Sequence, residues 1–185
     1  MRVGILTVSD RSHRGEREDR SGPALAQALR EFWAAEARAA GDERVPEDHT
    51  TMAAIVPDER ASISAQLAAW CDNDRLDVVL TTGGTGFATR DVTPEATLDV
   101  AERLAPGLAE AIRAESLRLT RHAMLSRGVA GIRGRTLIVN LPGSPRGAVE
   151  SLGVILPVLA HAVELLRGEN TAEQHHREAD GPPGP

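Results

Sequence analysis

Residues 77–97 read Asp-Val-Val-Leu-Thr-Thr-Gly-Gly-Thr-Gly-Phe-Ala-Thr-Arg-Asp-Val-Thr-Pro-Glu-Ala-Thr. The opening run, Asp77–Thr82, is short and β-branched, which predicts a buried strand. Gly83, Gly84 and Gly86 follow within four residues and predict a tight turn. Thr93-Pro94-Glu95 then reads as a helix start: a Thr cap, a first-turn Pro and an acid that suits the helix dipole. Strand, glycine turn and helix in that order form the unit of a parallel α/β sheet.

The flanking sequence repeats the pattern. Val3–Val8 predicts a strand at the start of the chain, followed by a charged loop over Arg11–Arg20. A helix is expected from Ser21-Gly22-Pro23, with Leu25, Leu29, Phe32 and Trp33 on its apolar face. Met52–Val56 predicts a second strand, and Ile63, Leu67 and Trp70 a second helix beginning near Asp58 or Arg60. After Thr93, two helices divided near Pro106-Gly107 should run to about Leu119. Gly128–Ile132 and Thr136–Asn140 flank the turn Arg133-Gly134-Arg135 and predict a strand pair. A last helix is expected over Ala148–Arg167, with a bend at Pro157. The order β-α-β-α-β-α-α and then β-β-α predicts a three-layer α/β/α sandwich, its sheet mostly parallel with one antiparallel addition. One domain over residues 1–168 is expected. Residues 41–51 read as a surface connection and 169–185 as a disordered tail.

Composition excludes several functions. The 21 basic residues are all Arg, so there is no Schiff-base lysine and no P-loop lysine. The formal net charge of −6 argues against nucleic acid as a partner. The only cysteine, Cys71, follows Trp70 on an amphipathic segment and reads as a packed thiol in a reducing compartment. No apolar run approaches about 18 residues and the N-terminus lacks a signal-peptide pattern, so no membrane partner is expected and the expected location is cytoplasmic. The six histidines show no metal-ligand spacing. A dinucleotide fingerprint, a Gly-x-Ser-x-Gly elbow and a Cys-x-x-Cys pair are absent.

In open parallel sheets, ligands bind beyond the carboxyl ends of the strands. Here those ends deliver Ser9-Asp10, Asp58, Gly83-Gly84-Thr85-Gly86 with Asp91, and Asn140 with Pro142-Gly143-Ser144. A glycine turn at a strand end can point successive N–H groups at an anion, and the helix from Thr93 adds its dipole. The plain alternative is a tight turn. With Thr93 as the cap, Asp91 is free for another role. A carboxylate beside a phosphate nest calls for a cation, and Mg²⁺ is the usual one; the alternative is an ion pair with Arg90 or another Arg. Asp58 reads equally as helix cap or catalyst, Ser9 and Asp10 as caps or ligands, and Leu141–Gly147 as an anion loop or a connection.

These residues, in this order, resemble the molybdenum-cofactor biosynthesis family that contains MogA and the gephyrin G domain (the MoaB/Mog type). The matching stretches are Leu6–Asp10, Glu18–Gly22, Val56–Glu59, Leu80–Thr97, Met124–Arg127, Gly131–Gly134 and Leu141–Ser144. The resemblance implies a molybdopterin adenylyltransferase: molybdopterin and Mg-ATP as substrates, adenylyl-molybdopterin and pyrophosphate as products. It implies that Asp58 and Asp91 serve catalysis and hold Mg²⁺. With the converging strand ends, nucleotide or pterin contacts are expected from Ser9, Asp10, Thr82, Gly83, Gly84, Thr85, Gly86, Ser126, Arg127, Asn140, Pro142, Gly143 and Ser144. Homotrimers and a transient contact with the metal-insertion enzyme are implied as well. The alternatives are a pterin-binding homologue or scaffold of the same fold without adenylyl transfer, and a nucleotide pyrophosphatase of the competence-damage type.

Overall fold

The computed structural model describes residues 1–42 and 49–168. Most of the expected 41–51 connection and the whole 169–185 tail lie outside the described residues. The elements run β1 (Arg2–Val8), α1 (Asp10–His13), α2 (Ser21–Ala39), β2 (Thr50–Val56), α3 (Arg60–Asp72), β3 (Val78–Thr82), α4 (Thr93–Val100), β4 (Arg103–Leu104), α5 (Pro106–Leu119), a 3-10 turn (Arg121–Leu125), β5 (Ala130–Arg133), β6 (Thr136–Leu141) and α6 (Pro145–Arg167).

The sheet has six strands in the order β2-β1-β3-β6-β5-β4. β2, β1, β3 and β6 are parallel, and β5 and β4 extend the sheet by antiparallel pairing. Side-chain alternation along the strands separates two cores. Val3 and Ile5 of β1, Val78 and Leu80 of β3, and Leu137 and Val139 of β6 pack on one face under α2, α5 and α6. Leu6, Val8, Val79 and Ile138 pack on the other, under α3 and α4, with Ile63, Leu67 and Trp70. Each fully buried Leu or Ile contributes about 1.5–3 kcal/mol relative to exposure, so the strands that read as continuous apolar runs are those covered on both faces. The expected three-layer sandwich is the fold found.

Several local expectations change. The loop expected after Asp10 opens with the short helix α1, capped by Ser9, whose side chain accepts the Ser12 N–H at 3.2 Å. α2 starts two residues before Pro23, because the Asp19 carboxylate accepts the N–H groups of Ser21 and Gly22 at 3.0 and 3.1 Å. The chain between α4 and α5 carries the two-residue strand β4, which is too short to leave a periodic signal. α6 begins at Pro145 and continues through Pro157. Its 23 residues are long and apolar enough to cross a membrane by length and composition. Ala148, Leu152, Ile155, Leu159 and Val163 nevertheless lie in the core beneath the sheet.

Candidate active site

Chain direction changes sides of the sheet between β1 and β3: β1 connects out to β2, and the chain returns across it to β3. This switch opens a crevice at the carboxyl ends of those two strands. Val8 ends β1 and Thr82 ends β3, with Thr7 and Thr82 in register. The glycine turn begins there. Gly83 has φ +104 and Gly84 has φ +63, in the region that favours glycine. A Cβ on Gly83 would collide with the Val8 carbonyl oxygen, and one on Gly84 with the Thr93 hydroxyl. The turn therefore lies flat against the end of β1 because it has no side chains there. Among the described residues, the N–H groups of Gly84, Thr85 and Gly86 have no hydrogen-bond partner. Three consecutive free N–H groups in a glycine turn at a strand end form an anion-binding concavity.

Thr93 does not act as the expected cap. α4 is capped at Val92 without a side-chain bond, and the buried Thr93 hydroxyl donates to the Gly83 carbonyl at 2.8 Å. Its N–H donates to the Gly84 carbonyl at 3.1 Å, so Thr93 ties the glycine turn to α4. Arg127 braces the other side. Its N–H donates to the Thr85 carbonyl at 2.9 Å and its Nε to the Gly86 carbonyl at 2.7 Å. The guanidinium also binds the Asp91 carbonyl and the Glu95 carboxylate. Arg127, expected to contact a ligand, braces the loop through these bonds.

The two singled-out aspartates each have one oxygen engaged. Asp91 Oδ2 accepts the Ala88 N–H at 2.8 Å, closing the turn between them. Asp58 Oδ2 accepts the Asp10 N–H at 2.7 Å, and the Asp58 N–H donates back to Asp10 Oδ1 at 3.0 Å. Asp58 does not cap α3, whose cap residue is Glu59. The other oxygen of each carboxylate, Oδ1, has no partner among the described residues. Burial pushes the Asp58 carboxyl above its ordinary value; the charges of Asp10 and Asp91 act in the same direction, so these carboxylates feel one another. Arg90 does not pair with Asp91. It grips Asp10 with Nε and Nη2 at 2.7–3.0 Å. The Asp10 carboxyl sits below its ordinary value: burial opposes the shift, and the Arg90 guanidinium with the Asp58 N–H outweighs it. Both Asp10 oxygens are engaged, so Asp10 links Arg90 to Asp58.

Two further residues of the expected site have hydrogen bonds within the protein. Asn140 is buried; its Nδ2 donates to the Thr81 and Thr97 hydroxyls at 3.0 and 2.8 Å, and its Oδ1 accepts the Val129 N–H at 3.2 Å. Thr82 is fully buried and donates to the Pro142 carbonyl at 2.7 Å. Both hold strand ends and loops in place behind the site. Ser144 caps α6 by accepting the Gly147 N–H at 3.2 Å.

Two cavities flank the glycine turn. One of about 260 Å³ lies against Thr85, Ile112, Leu125, Ser126, Pro142 and Ser144, with His122 and Arg113 at its wall. Another of about 180 Å³ is lined by Ser9, Asp19, Thr82, Gly83 and Gly143. Gly83 and Gly143 meet in the smaller cavity's wall: a Cβ on Gly143 would lie 3.1 Å from the Gly83 Cα. His122 and Arg113 were not singled out in the sequence, since neither sits in a recognisable motif. Cys71 lies far from this end of the sheet; burial pushes its thiol up to about 11, which keeps it protonated, as its packed position implied.

Among the described residues, no three His, Cys, Asp or Glu side chains converge as a metal site. Asp91, whose Oδ2 lies against Gly86, and Asp58, whose carboxyl feels the Asp91 charge, nonetheless carry the donor chemistry that suits Mg²⁺, which commonly takes one or two carboxylates and completes its shell with water and substrate phosphate.

The chain is similar to known proteins over nearly all of its length. A family model described as a probable molybdopterin binding domain matches residues 4–161. A molybdopterin adenylyltransferase from Helicobacter pylori is 41% identical over 166 residues, covering 90% of this chain and 88% of that protein. The molybdenum cofactor synthesis protein cinnamon from Drosophila melanogaster is 41% identical over 179 residues, and this chain spans 28% of its length. Among solved structures, the molybdopterin biosynthesis enzyme MoaB from Thermus thermophilus superposes with a TM-score of 0.77 at 50% identity, covering 91% of this chain and 97% of that one. The chain belongs to the family of probable molybdopterin binding domains.

Proposed function

We propose that this protein is a molybdopterin adenylyltransferase, which moves AMP from ATP to the terminal phosphate of molybdopterin and releases pyrophosphate. The carrying observation is the pairing of free N–H groups at Gly84, Thr85 and Gly86 with one uncommitted oxygen on each of Asp58 and Asp91. The relatives named as adenylyltransferases support the same reaction.

In this reading the N–H groups of the glycine turn bind phosphate oxygens and stabilise the charge that develops as a molybdopterin phosphate oxygen bonds to the α-phosphorus and the bond to pyrophosphate breaks. Asp58 and Asp91 would hold Mg²⁺, which when bound neutralises charge on the phosphate oxygens. Two substrates suit the two cavities beside the glycine turn. Ser126 and Ser144 line one of them and Ser9 the other, each with a hydroxyl for substrate oxygens. A homotrimer, a cytoplasmic location and a transient contact with the metal-insertion enzyme belong to the same reading.

The test is purified protein with molybdopterin, ATP and Mg²⁺, followed by detection of adenylyl-molybdopterin and pyrophosphate. The expected result is stoichiometric formation of both, reduced at least about 100-fold in Asp91→Ala. Pyrophosphate released at an equal rate without molybdopterin would favour a nucleotide pyrophosphatase. Pterin binding without either product would leave a binding module.

A further inference from the structure

We propose that Arg90 is a positioning residue for this reaction, fixing the separation of Asp58 from Asp91 through its grip on Asp10; the inference rests on the adenylyltransferase reading. Arg90 precedes Asp91 in the chain, yet its guanidinium turns away from Asp91. It reaches Asp10 on the end of the neighbouring strand, with Nε 3.0 Å and Nη2 2.7 Å from Oδ2 and Nη2 2.8 Å from Oδ1. Asp10 in turn exchanges two bonds with Asp58, N–H to Oδ2 at 2.7 Å and Oδ1 from N–H at 3.0 Å. A continuous path results: Asp91, the peptide bond to Arg90, the forked pair to Asp10, and the paired bonds to Asp58. Thr93 and Arg127 tie the same loop to α4 and to the 85–86 backbone, and neither reaches Asp58.

The pair has no evident role in holding the fold. The Arg90 side chain is 58% exposed, and exposed ion pairs contribute little to stability. Its geometry is more specific than its stability value requires. A planar fork that engages both oxygens of one carboxylate fixes direction as well as distance, which an ammonium group does not. Asp10 is saturated by these contacts, so its part is to transmit position and not to bind cation.

Charge and position make opposite predictions. Arg90 is a cation close to the proposed Mg²⁺ ligands. If it acted through charge alone, its removal would tighten binding of a divalent cation. If it acts by position, removal leaves Asp58 and Asp91 untethered and cation binding loosens.

The test uses Mn²⁺ as the probe, with bound metal measured by electron paramagnetic resonance on the full chain without nucleotide. Arg90→Ala is expected to weaken Mn²⁺ binding about 10-fold, and Arg90→Lys to weaken it comparably although the charge is kept. A metal-free readout accompanies it: exchange of the Ala88 amide hydrogen, which Asp91 holds, should accelerate in Arg90→Ala while the strand amides keep their protection. Unchanged or tighter Mn²⁺ binding, or unchanged Ala88 exchange, overturns the proposal. Absence of adenylyl-molybdopterin from the wild-type protein overturns the functional reading instead, and the amide exchange still decides whether Arg90 tethers the loop.

Discussion

The guanidinium of Arg127 hydrogen-bonds the main-chain carbonyl of Asp91, across 36 residues of sequence. The same side chain holds the Gly86 carbonyl at 2.7 Å and pairs with Glu95. One arginine therefore spans the turn from its third glycine to its aspartate. Removing it strands the Glu95 carboxylate and frees two carbonyls. Arg127→Ala is expected to lose about 1–3 kcal/mol of stability, read from urea unfolding. Product formation per folded molecule should fall about 100-fold, since a shift of about 1 Å at reacting groups is enough for that. Arg127→Lys should recover stability better than activity, because it restores the charge and not the fork. Full activity in the alanine variant would show that the loop holds its shape without this brace.

Gly83→Ala tests the close approach of the turn to β1. The added methyl meets the Val8 carbonyl oxygen, and φ +104 is unfavourable for any side chain. The atoms it meets all belong to the Val8 main chain, so no flexible group can give way. A loss of about 2–4 kcal/mol is expected, measured by denaturant midpoint. Gly134→Ala is a control: it also has positive φ, at 56, but open space around it. It should cost about 1 kcal/mol. Equal losses at the two positions would mean that the clash with Val8 is relieved by movement of the turn.

The fold was legible because three central strands, β1, β3 and β6, are buried on both faces. Val3–Val8, Asp77–Thr82 and Thr136–Asn140 read as apolar runs, and their order implies parallel pairing through helices. β4 was not legible, because two exposed residues, Arg103 and Leu104, carry no period. At the site, the glycine turn and both aspartates stood out by residue type and position. Their partners did not. Arg90 and Asp10 are 80 residues apart, so no local pattern joins them. Thr93 followed by Pro94 and Glu95 has the composition of a helix cap, but burial and the nearby Gly83 carbonyl claim its hydroxyl. Asn140 sits at a strand end, where a ligand contact was expected. Pairing in register with Thr81 points it inward to that threonine's hydroxyl.

Asn140→Ala separates scaffold from ligand contact. The carboxamide serves three partners in a buried setting: Thr81, Thr97 and the Val129 N–H. Its loss leaves the Val129 N–H without an acceptor and opens a small void. About 2–3 kcal/mol of destabilisation is expected. At a temperature where the variant is fully folded, KM for ATP and for molybdopterin should each stay within about twofold of wild type, as expected for a group with no exposed donor or acceptor. A large rise in either KM with unchanged stability would return Asn140 to the binding surface.

Asp58 gives a pH-dependent prediction whose sign is fixed by its environment. Burial, with the neighbouring Asp10 and Asp91 carboxylates adding to it, raises the folded-state value above the ordinary Asp value of about 4. A group that holds its proton more tightly when folded stabilises the protein below its unfolded value. That contribution is lost as pH rises from the unfolded value through the folded one. At neutral pH in the absence of metal, the ionised Asp58 therefore works against folding. Asp58→Asn keeps an oxygen to accept the Asp10 N–H and removes the charge. With chelator present, the variant should unfold at higher urea concentration than wild type at pH 7, and at the same concentration near pH 3. Added Mg²⁺ should then raise the midpoint of the wild type at pH 7 and leave the variant nearly unmoved, because a cation stabilises the folded state only where it binds. A variant less stable than wild type at pH 7 without metal would mean that the charge on Asp58 is already compensated within the protein.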